Sequence, residues 1–145
     1  MNVEIVLDKT SLTKSVETLL WKYGNAIEGA DNFKQVSNVK TDTVNDKADK
    51  RLLDDSYAKR VNKAADIMRE YVTDVEGSVI RLALPNNWGG DQKVLKTLVE
   101  DYVTNGMMVD WLNPTAPNEA ALYGVALKDA EQSVKSEIYA IGVPK

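Results

Sequence analysis

Most of this chain follows the helical spacing of hydrophobic residues. A first stripe begins at Leu12 and continues to Ile27, and it predicts a helix from about 11 to 28 that ends at Gly29. Polar residues suited to a helix N-cap, among them Asp8, stand just before the stripe. The chain therefore enters its first helix within about a dozen residues.

Two short segments depart from helical spacing. Val3, Ile5 and Leu7 occupy alternate positions in a β-branched run, which predicts an edge strand or an extended arm. The second segment, Val79–Pro85, fits either a strand or a helix interrupted by Pro85, because a proline disfavours helical geometry in the residue before it.

The longest stripe lies between Thr43 and Glu76, where there is no glycine or proline. It predicts one long helix over 44–75, about 32 residues and about 48 Å in length, that ends at Gly77. Adjacent poor helix formers at 54–56 mark the place where such a helix would break. Its apolar face consists of Leu53, Tyr57, Val61, Ala64, Met68, Tyr71, Val72 and Val75. The basic residues Lys59, Arg60 and Lys63 are interpreted as part of its solvated face.

The C-terminal half predicts two further helices. Asp91 follows a Gly-rich loop and suits the N-cap of a third helix, which the Asn-Gly pair at 105–106 would end or bend. A breaker at 113–117 precedes a fourth helix from about 118 to 140. The narrow apolar seam of this helix consists of Ala120, Leu127, Val134 and Ile141, with Tyr123 and Ala130 between them.

These elements favour one mainly all-α domain over 1–145. We predict a four-helix bundle-like arrangement with one long helix and a short extended element at the N-terminus and at 79–85. The composition agrees, because 145 residues with 43% hydrophobic content can enclose a core.

The chain contains no histidine and no cysteine. These residues supply most transition-metal ligands, thiol nucleophiles and general bases that work near neutral pH. We therefore predict a protein that is not an enzyme and has no catalytic residue, metal site or cofactor.

Its net charge of −4 would repel phosphate, so we expect no direct nucleic-acid binding. With no signal peptide and no apolar run near ~20 residues, we expect a soluble cytoplasmic product and no membrane partner.

Two patterns suggest chemistry but have better structural interpretations. Ser11-Leu12-Thr13-Lys14 matches Ser-x-x-Lys without the companion motifs of penicillin-binding enzymes, so Ser11 is interpreted as a helix cap. Gly89-Gly90 precedes a helix N-terminus, where anions can bind, and is interpreted as loop geometry.

A few apolar residues stand in unusual places. Trp88 lies in a polar loop, and Met107, Met108 and Trp111 follow a bend, so they either close the ends of the core or contact a partner. The full set of candidate partner contacts is Val3, Ile5, Pro85, Trp88, Met107, Met108, Trp111 and Val143.

In size and layout the chain resembles the small helical head–tail connector (adaptor) proteins of tailed bacteriophages. The features that carry the resemblance are the long helix 44–75, the extended 79–85, the Trp/Gly/Asn loop 86–90 and the last helix 118–140 with its short tail. The resemblance implies a non-enzymatic structural protein that forms a homo-oligomeric ring and contacts neighbouring virion proteins. It also implies synthesis in a bacterial cytoplasm and incorporation into a virion.

Two alternatives stay open. The first is a small helical regulatory adaptor that binds a protein partner through an apolar groove, with Trp88 and Trp111 near one exposed patch. The second is a carboxylate-dependent metal enzyme. It requires Asp46 and Asp49, with Asp42 nearby, to converge with Glu100 or Asp101 on a divalent cation. The acidic run at 42–49 is better explained by its position in the first turns of a helix, where it complements the dipole.

Overall fold

The computed structural model describes residues 1–26 and 46–142, and the side chains of 1–20, 51–114 and 116–142. Mainly helical structure is confirmed for this part of the chain, but a small three-stranded sheet accompanies the four helices. The elements in chain order are β1 (Asn2–Val6), α1 (Lys9–Ala26), α2 (Asp46–Ile67), β2 (Val72–Glu76), β3 (Val79–Ala83), α3 (Gln92–Thr115) and α4 (Pro117–Ile138).

The sheet is antiparallel and has the strand order β1-β3-β2. β2 and β3 form a hairpin whose two-residue turn begins with Gly77 at a φ of 58°, a conformation that glycine adopts without steric cost. β1 joins the other side of β3, with Glu4 opposite Arg81. Of the two predictions for the N-terminal segment, an edge strand or an extended arm, the edge strand is confirmed, and Val79–Ala83 is the central strand.

The long helix predicted over 44–75 is wrong in its last quarter, 68–75. α2 ends at Ile67, a turn follows, and Val72–Glu76 forms β2. The stripe from Leu53 to Met68 is buried as predicted. Beyond it, β-branched residues at 72, 73 and 75 have low helix propensity and pair with β3 instead. The predicted break at 54–56 does not occur, because the helix continues through it.

α3 lies at the centre of the molecule and contacts α1, α2, α4 and β1. Its N-cap is Asp91, as predicted, and the Asp91 carboxylate accepts hydrogen bonds from the N–H groups of Lys93 and Val94. The helix does not end at 105–106 and continues past Pro114 to Thr115. Ala116 alone separates it from α4, so the two helices form a tight antiparallel hairpin.

One core joins the inner face of the sheet to the four helices. Val3, Ile5 and Leu7 point into it from β1, and Ile80 and Leu82 do so from β3. The predicted seam of α4 is partly confirmed: the buried or half-buried residues on its inner face are Ala120, Tyr123, Leu127, Ala130 and Val134. Ile141 lies beyond the end of α4 and is 77% exposed.

Candidate interaction surface at the edge of strand β1

Among the described residues, the backbone of β1 forms its ladder of hydrogen bonds on one side, toward β3. Leu7 donates to the Ser78 carbonyl at 2.9 Å, and Leu84 donates to the Met1 carbonyl at 2.8 Å. These bonds fix the phase of the antiparallel ladder, so the odd-numbered residues of β1 turn their N–H and C=O groups toward β3. The even-numbered residues, Asn2, Glu4 and Val6, turn theirs away from the sheet.

One side chain covers part of this outer edge. The amide nitrogen of Gln92, in the first turn of α3, donates to the Glu4 carbonyl at 3.2 Å. Within residues 1–26 and 46–142, no other hydrogen bond reaches the outward N–H or C=O groups of Asn2, Glu4 and Val6. This edge, which we call the β1 edge, therefore presents a regular row of backbone donors and acceptors.

The opposite edge of the sheet is less suitable for pairing. A β-bulge at Thr73 shifts the register of β2 between Val72 and Asp74. The Val72 N–H is already donated to the Met68 carbonyl at the end of α2. Bulges and occupied backbone groups are devices that prevent strand addition at a sheet edge. The β1 edge has no bulge over its whole length.

The solvent face beside the β1 edge is acidic. Three carboxylates surround one guanidinium: Arg81 contacts Asp74 at 2.6 Å, Glu76 at 3.1 Å and Glu4 at 3.3 Å. The hydrogen bonds that Arg81 donates, first to Glu76 and then to Glu4 and Asp74, raise the pKa of Arg81. One positive charge among three negative ones leaves two negative charges without compensation on this face.

Val3 and Ile5, two predicted partner contacts, have buried side chains within the core of their own chain. The exposed part of β1 is instead its backbone, together with Glu4 and the half-exposed Val6. Alternation along the strand distinguishes its buried residues from its exposed ones, and an edge strand was one of the two predictions, but neither signal indicates which backbone groups stay unpaired. For this reason Gln92, Glu4 and Val6 were missed as surface candidates.

Trp88 is held in place by contacts with residues at the end of α4 and just beyond it. Its indole N–H donates to the Glu137 carbonyl at 3.0 Å, and Trp88 forms an antiparallel bridge with Ile141. Bonds from Gly89 to Ala140 and from Gly142 to Asn87 flank this bridge. A Cβ at Gly89 would lie 2.6 Å from the Gly142 nitrogen, and a Cβ at Gly90 would meet the Trp88 ring. Close backbone approach therefore explains both glycines, as the loop interpretation predicted.

The remaining predicted contacts are distributed through the structure. Met107 and Met108 are fully buried within α3, where they fill the core and are closed to a partner in this conformation. Pro85 and Trp111 are half-buried. Val143 lies outside the described residues. The predicted contacts therefore do not form one surface.

A second polar constellation is buried between α2 and α3. Arg60, only 6% exposed, binds Asp110 through two hydrogen bonds of 3.0 Å and 2.6 Å, and Ser56 donates to the same carboxylate at 2.8 Å. Gly106 makes room for this arrangement, since a Cβ there would overlap the Arg60 side chain. The prediction that Arg60 lies on a solvated face is therefore wrong.

The pKa shifts of Arg60 and Asp110 both favour the charged forms of the two side chains. Burial raises the pKa of Asp110, but the hydrogen bonds from Arg60 and Ser56 outweigh burial and hold that pKa below its usual range. Burial lowers the pKa of Arg60, and the contacts with Asp110 and Tyr102 more than reverse this effect. Both oxygens of the Asp110 carboxylate accept hydrogen bonds from Arg60, which indicates a structural cross-link between α2 and α3.

An open groove of about 510 Å³ lies between α2, α3 and α4. Lys63, Arg69 and Lys135 line it together with Asp66, Glu70 and Glu131, and Ile67, Tyr102 and Tyr139 supply its apolar part. The regulatory adaptor that binds through an apolar groove stays a prediction.

The structure also locates the other chemical candidates. Asp8, and not Ser11, caps α1, because its carboxylate accepts from the Ser11 N–H at 3.1 Å. The N-terminal end of α3, a place where an anion could bind, is occupied by the carboxylates of Asp91 and Glu137. In the described part of the chain, no three acidic side chains gather as a metal site would require. The side chains at 42, 46 and 49 lie outside that part.

No family model, curated protein or solved structure matches this chain. Among the described helices, none combines the length and hydrophobicity needed to cross a membrane. Function is therefore inferred from the geometry of the chain itself.

Proposed function

We propose that this protein is a non-enzymatic interaction protein that binds a partner by strand addition at the β1 edge. In this mode an extended segment of the partner becomes a fourth strand, and main-chain hydrogen bonds supply much of the affinity. The observation that carries the proposal is the row of outward-facing backbone groups at Asn2, Glu4 and Val6, which is interrupted only by Gln92 within the described residues.

The proposal also includes a more specific role for the protein. We propose a subunit of a homo-oligomeric ring, a head–tail connector of a tailed bacteriophage, that contacts neighbouring virion proteins through the β1 edge. What supports this role is the overall layout of helices and extended segments described from the sequence. The helix from Asp46 to Ile67 is shorter than that layout assumed, so the support comes chiefly from the order of elements.

Amide hydrogen exchange tests strand addition directly. The probe is a synthetic nine-residue peptide of alternating valine and threonine, added to the full-length protein. Binding at the β1 edge should slow exchange of the Glu4 and Val6 amides, while the Val3 and Ile5 amides are already protected by β3. Binding without protection at Glu4 and Val6, or no binding by any extended peptide, would contradict the proposal.

A matched pair of variants at Val6 isolates the backbone contribution. Val6→Pro removes an outward N–H, whereas Val6→Thr changes the side chain and keeps that N–H. Peptide binding should fall at least about tenfold in Val6→Pro and change little in Val6→Thr, since one lost ladder bond and a blocked edge act together. Equal binding by the two variants would place the peptide elsewhere.

Light scattering combined with electron microscopy tests the ring. The wild-type chain should form a closed oligomer at high concentration or in the presence of virion neck proteins. The two most exposed apolar residues of α4, Leu122 at 71% and Val125 at 63%, are the positions to change to aspartate in order to disrupt subunit contacts. A monomer under all these conditions would rule out the ring and leave strand addition to be tested separately.

A further inference from the structure

We infer that the occupant of the β1 edge is an extended segment of a different protein that carries lysine or arginine on the side next to Glu4. This inference rests on the proposed function and specifies the chemistry of the partner. It is argued from the charges on the two sides of the β1 edge and from the poor fit of a second copy of the chain.

The solvent face of the sheet favours a basic strand. Side chains of an added strand would stand directly opposite Asn2, Glu4 and Val6, at the distance where cross-strand charge pairs interact. Glu4 forms an ion pair with Arg81, which Asp74 and Glu76 also contact. A lysine or arginine opposite Glu4 would neutralise part of this excess negative charge.

The other face of the added strand meets a different environment. Its side chains would lie over the first turns of α3, where Gln92 already reaches the Glu4 carbonyl. Lys96 follows Gln92 by four residues and so lies on the same side of the helix. A cation on this inner face would be repelled by Lys96. The favoured segment therefore alternates basic residues outward with uncharged residues inward.

A second copy fits the β1 edge poorly. Two β1 strands paired antiparallel over their full length would place Glu4 directly opposite Glu4 of the other copy, and like charges in that position destabilise a sheet. A register shifted by two residues avoids this pairing but shortens the contact to three residues of each strand, of which two turn their backbone groups outward. Pairing with β2 of another copy would meet Asp74, Glu76 and the bulge at Thr73.

Three nine-residue peptides of fixed design test the inference. The first has lysine at every second position with valine or threonine between, and the second replaces each lysine by glutamate. The third has the composition of the first in an order that puts lysines on both faces, so it controls for non-specific attraction to an acidic protein. Affinity is measured by fluorescence anisotropy with the full-length chain at low and physiological salt.

The alternating lysine peptide should bind at least about fivefold more tightly than either of the others, and salt should weaken this preference. Glu4→Gln should reduce the preference for lysine over glutamate about two- to threefold, with no change in the binding of the neutral valine–threonine peptide. Val6→Pro should weaken all of these peptides, and circular dichroism checks that both variants are folded.

The outcomes separate the two proposals. If no peptide binds, including the neutral one, strand addition itself is overturned. If the neutral peptide protects Glu4 and Val6 but the glutamate or reordered lysine peptide binds as well as the alternating one, only the charge inference fails. A dimer in light scattering that Val6→Pro abolishes and Val6→Thr preserves would identify a second copy as the occupant and also overturn the inference.

Discussion

The α2–α3 interface and the β1 edge differ in how far their polar groups are hydrogen-bonded within the described part of the chain. Between the helices, Arg60 is buried, Asp110 is mostly buried, and each is hydrogen-bonded to the other. At the β1 edge, three residues turn backbone groups away from the sheet, and within the described residues only Gln92 satisfies one of them. The first region is closed to further partners, while the second is chemically incomplete without water or another strand.

The difference follows from the cost of burial. A charged group away from water is tolerated only when it is paired and hydrogen-bonded, so the buried pair must be complete before the helices can pack. Backbone groups at an edge are satisfied by water at little cost, and they stay available for exchange with a partner. We therefore expect changes at Arg60–Asp110 to act on stability and changes at the β1 edge to act on binding.

The largest effect is expected from Asp110→Asn. Removing one partner of a buried ion pair leaves the Arg60 charge uncompensated, so the free energy of unfolding should fall by about 3–5 kcal/mol. The matched control is Asp129→Asn on the exposed face of α4, which should change it by less than about 0.5 kcal/mol. Both are measured by urea denaturation. Equal effects in the two variants would show that Asp110 contributes no more to stability than an exposed carboxylate does.

Two glycines inside helices provide the next comparison. Gly106→Ala should lower the free energy of unfolding by about 1–3 kcal/mol, because the new Cβ overlaps the buried Arg60 side chain. Gly124→Ala, with nothing within 4 Å of its new Cβ, should raise it by up to about 1 kcal/mol through helix propensity. Thermal melting of both variants checks this. Stabilisation by both would mean that Gly106 is not needed for the approach of Arg60.

Lowering the pH should reduce the contribution of the Arg60–Asp110 pair to the free energy of unfolding. The folded pKa of Asp110 lies below its unfolded value of about 3.9, so its contribution to stability is complete above about pH 5 and is lost as pH falls through the folded pKa. The difference in unfolding free energy between wild type and Asp110→Asn should therefore shrink between about pH 4 and pH 2. A constant difference over that range would contradict the lowered pKa.

The smallest stability effect is expected at the edge. Val6→Pro removes an N–H that no other described group accepts, so the free energy of unfolding should change by less than about 1 kcal/mol relative to Val6→Thr. The same pair of variants is expected to differ strongly in peptide binding. A large loss of stability in Val6→Pro alone would show that the Val6 N–H is used within the fold and would remove the contrast between the two regions.

Sequence patterns predicted the helices well where helical spacing coincided with clear capping signals. Asp91 as the N-cap of α3 is confirmed, and the fourth helix was predicted within two residues of its actual ends. The prediction failed after Met68, where Tyr71, Val72 and Val75 continue the helical stripe but belong to a turn and a strand. Valines spaced three apart fit the inner face of either element when a bulge intervenes, so spacing did not distinguish them.

The candidate site was harder to predict than the fold. Trp88 and Met108 were singled out for their residue types, and the structure places one in a loop contact with α4 and the other in the core. The β1 edge has no unusual residue type, because its distinguishing groups are backbone N–H and C=O. Every sequence contains these groups, and only strand order determines which of them stay unpaired.

By itself, the sequence determined the helical character, the caps, the alternation along β1 and the absence of histidine and cysteine chemistry. These properties depend on neighbours a few residues apart, and local spacing encodes them. The tertiary structure decided that residues 72–76 pair with β3, that Arg60 meets Asp110 fifty residues away, and that β1 turns its odd-numbered residues toward β3. Each of these depends on contacts between distant parts of the chain, where the partner available in space outweighs local preference.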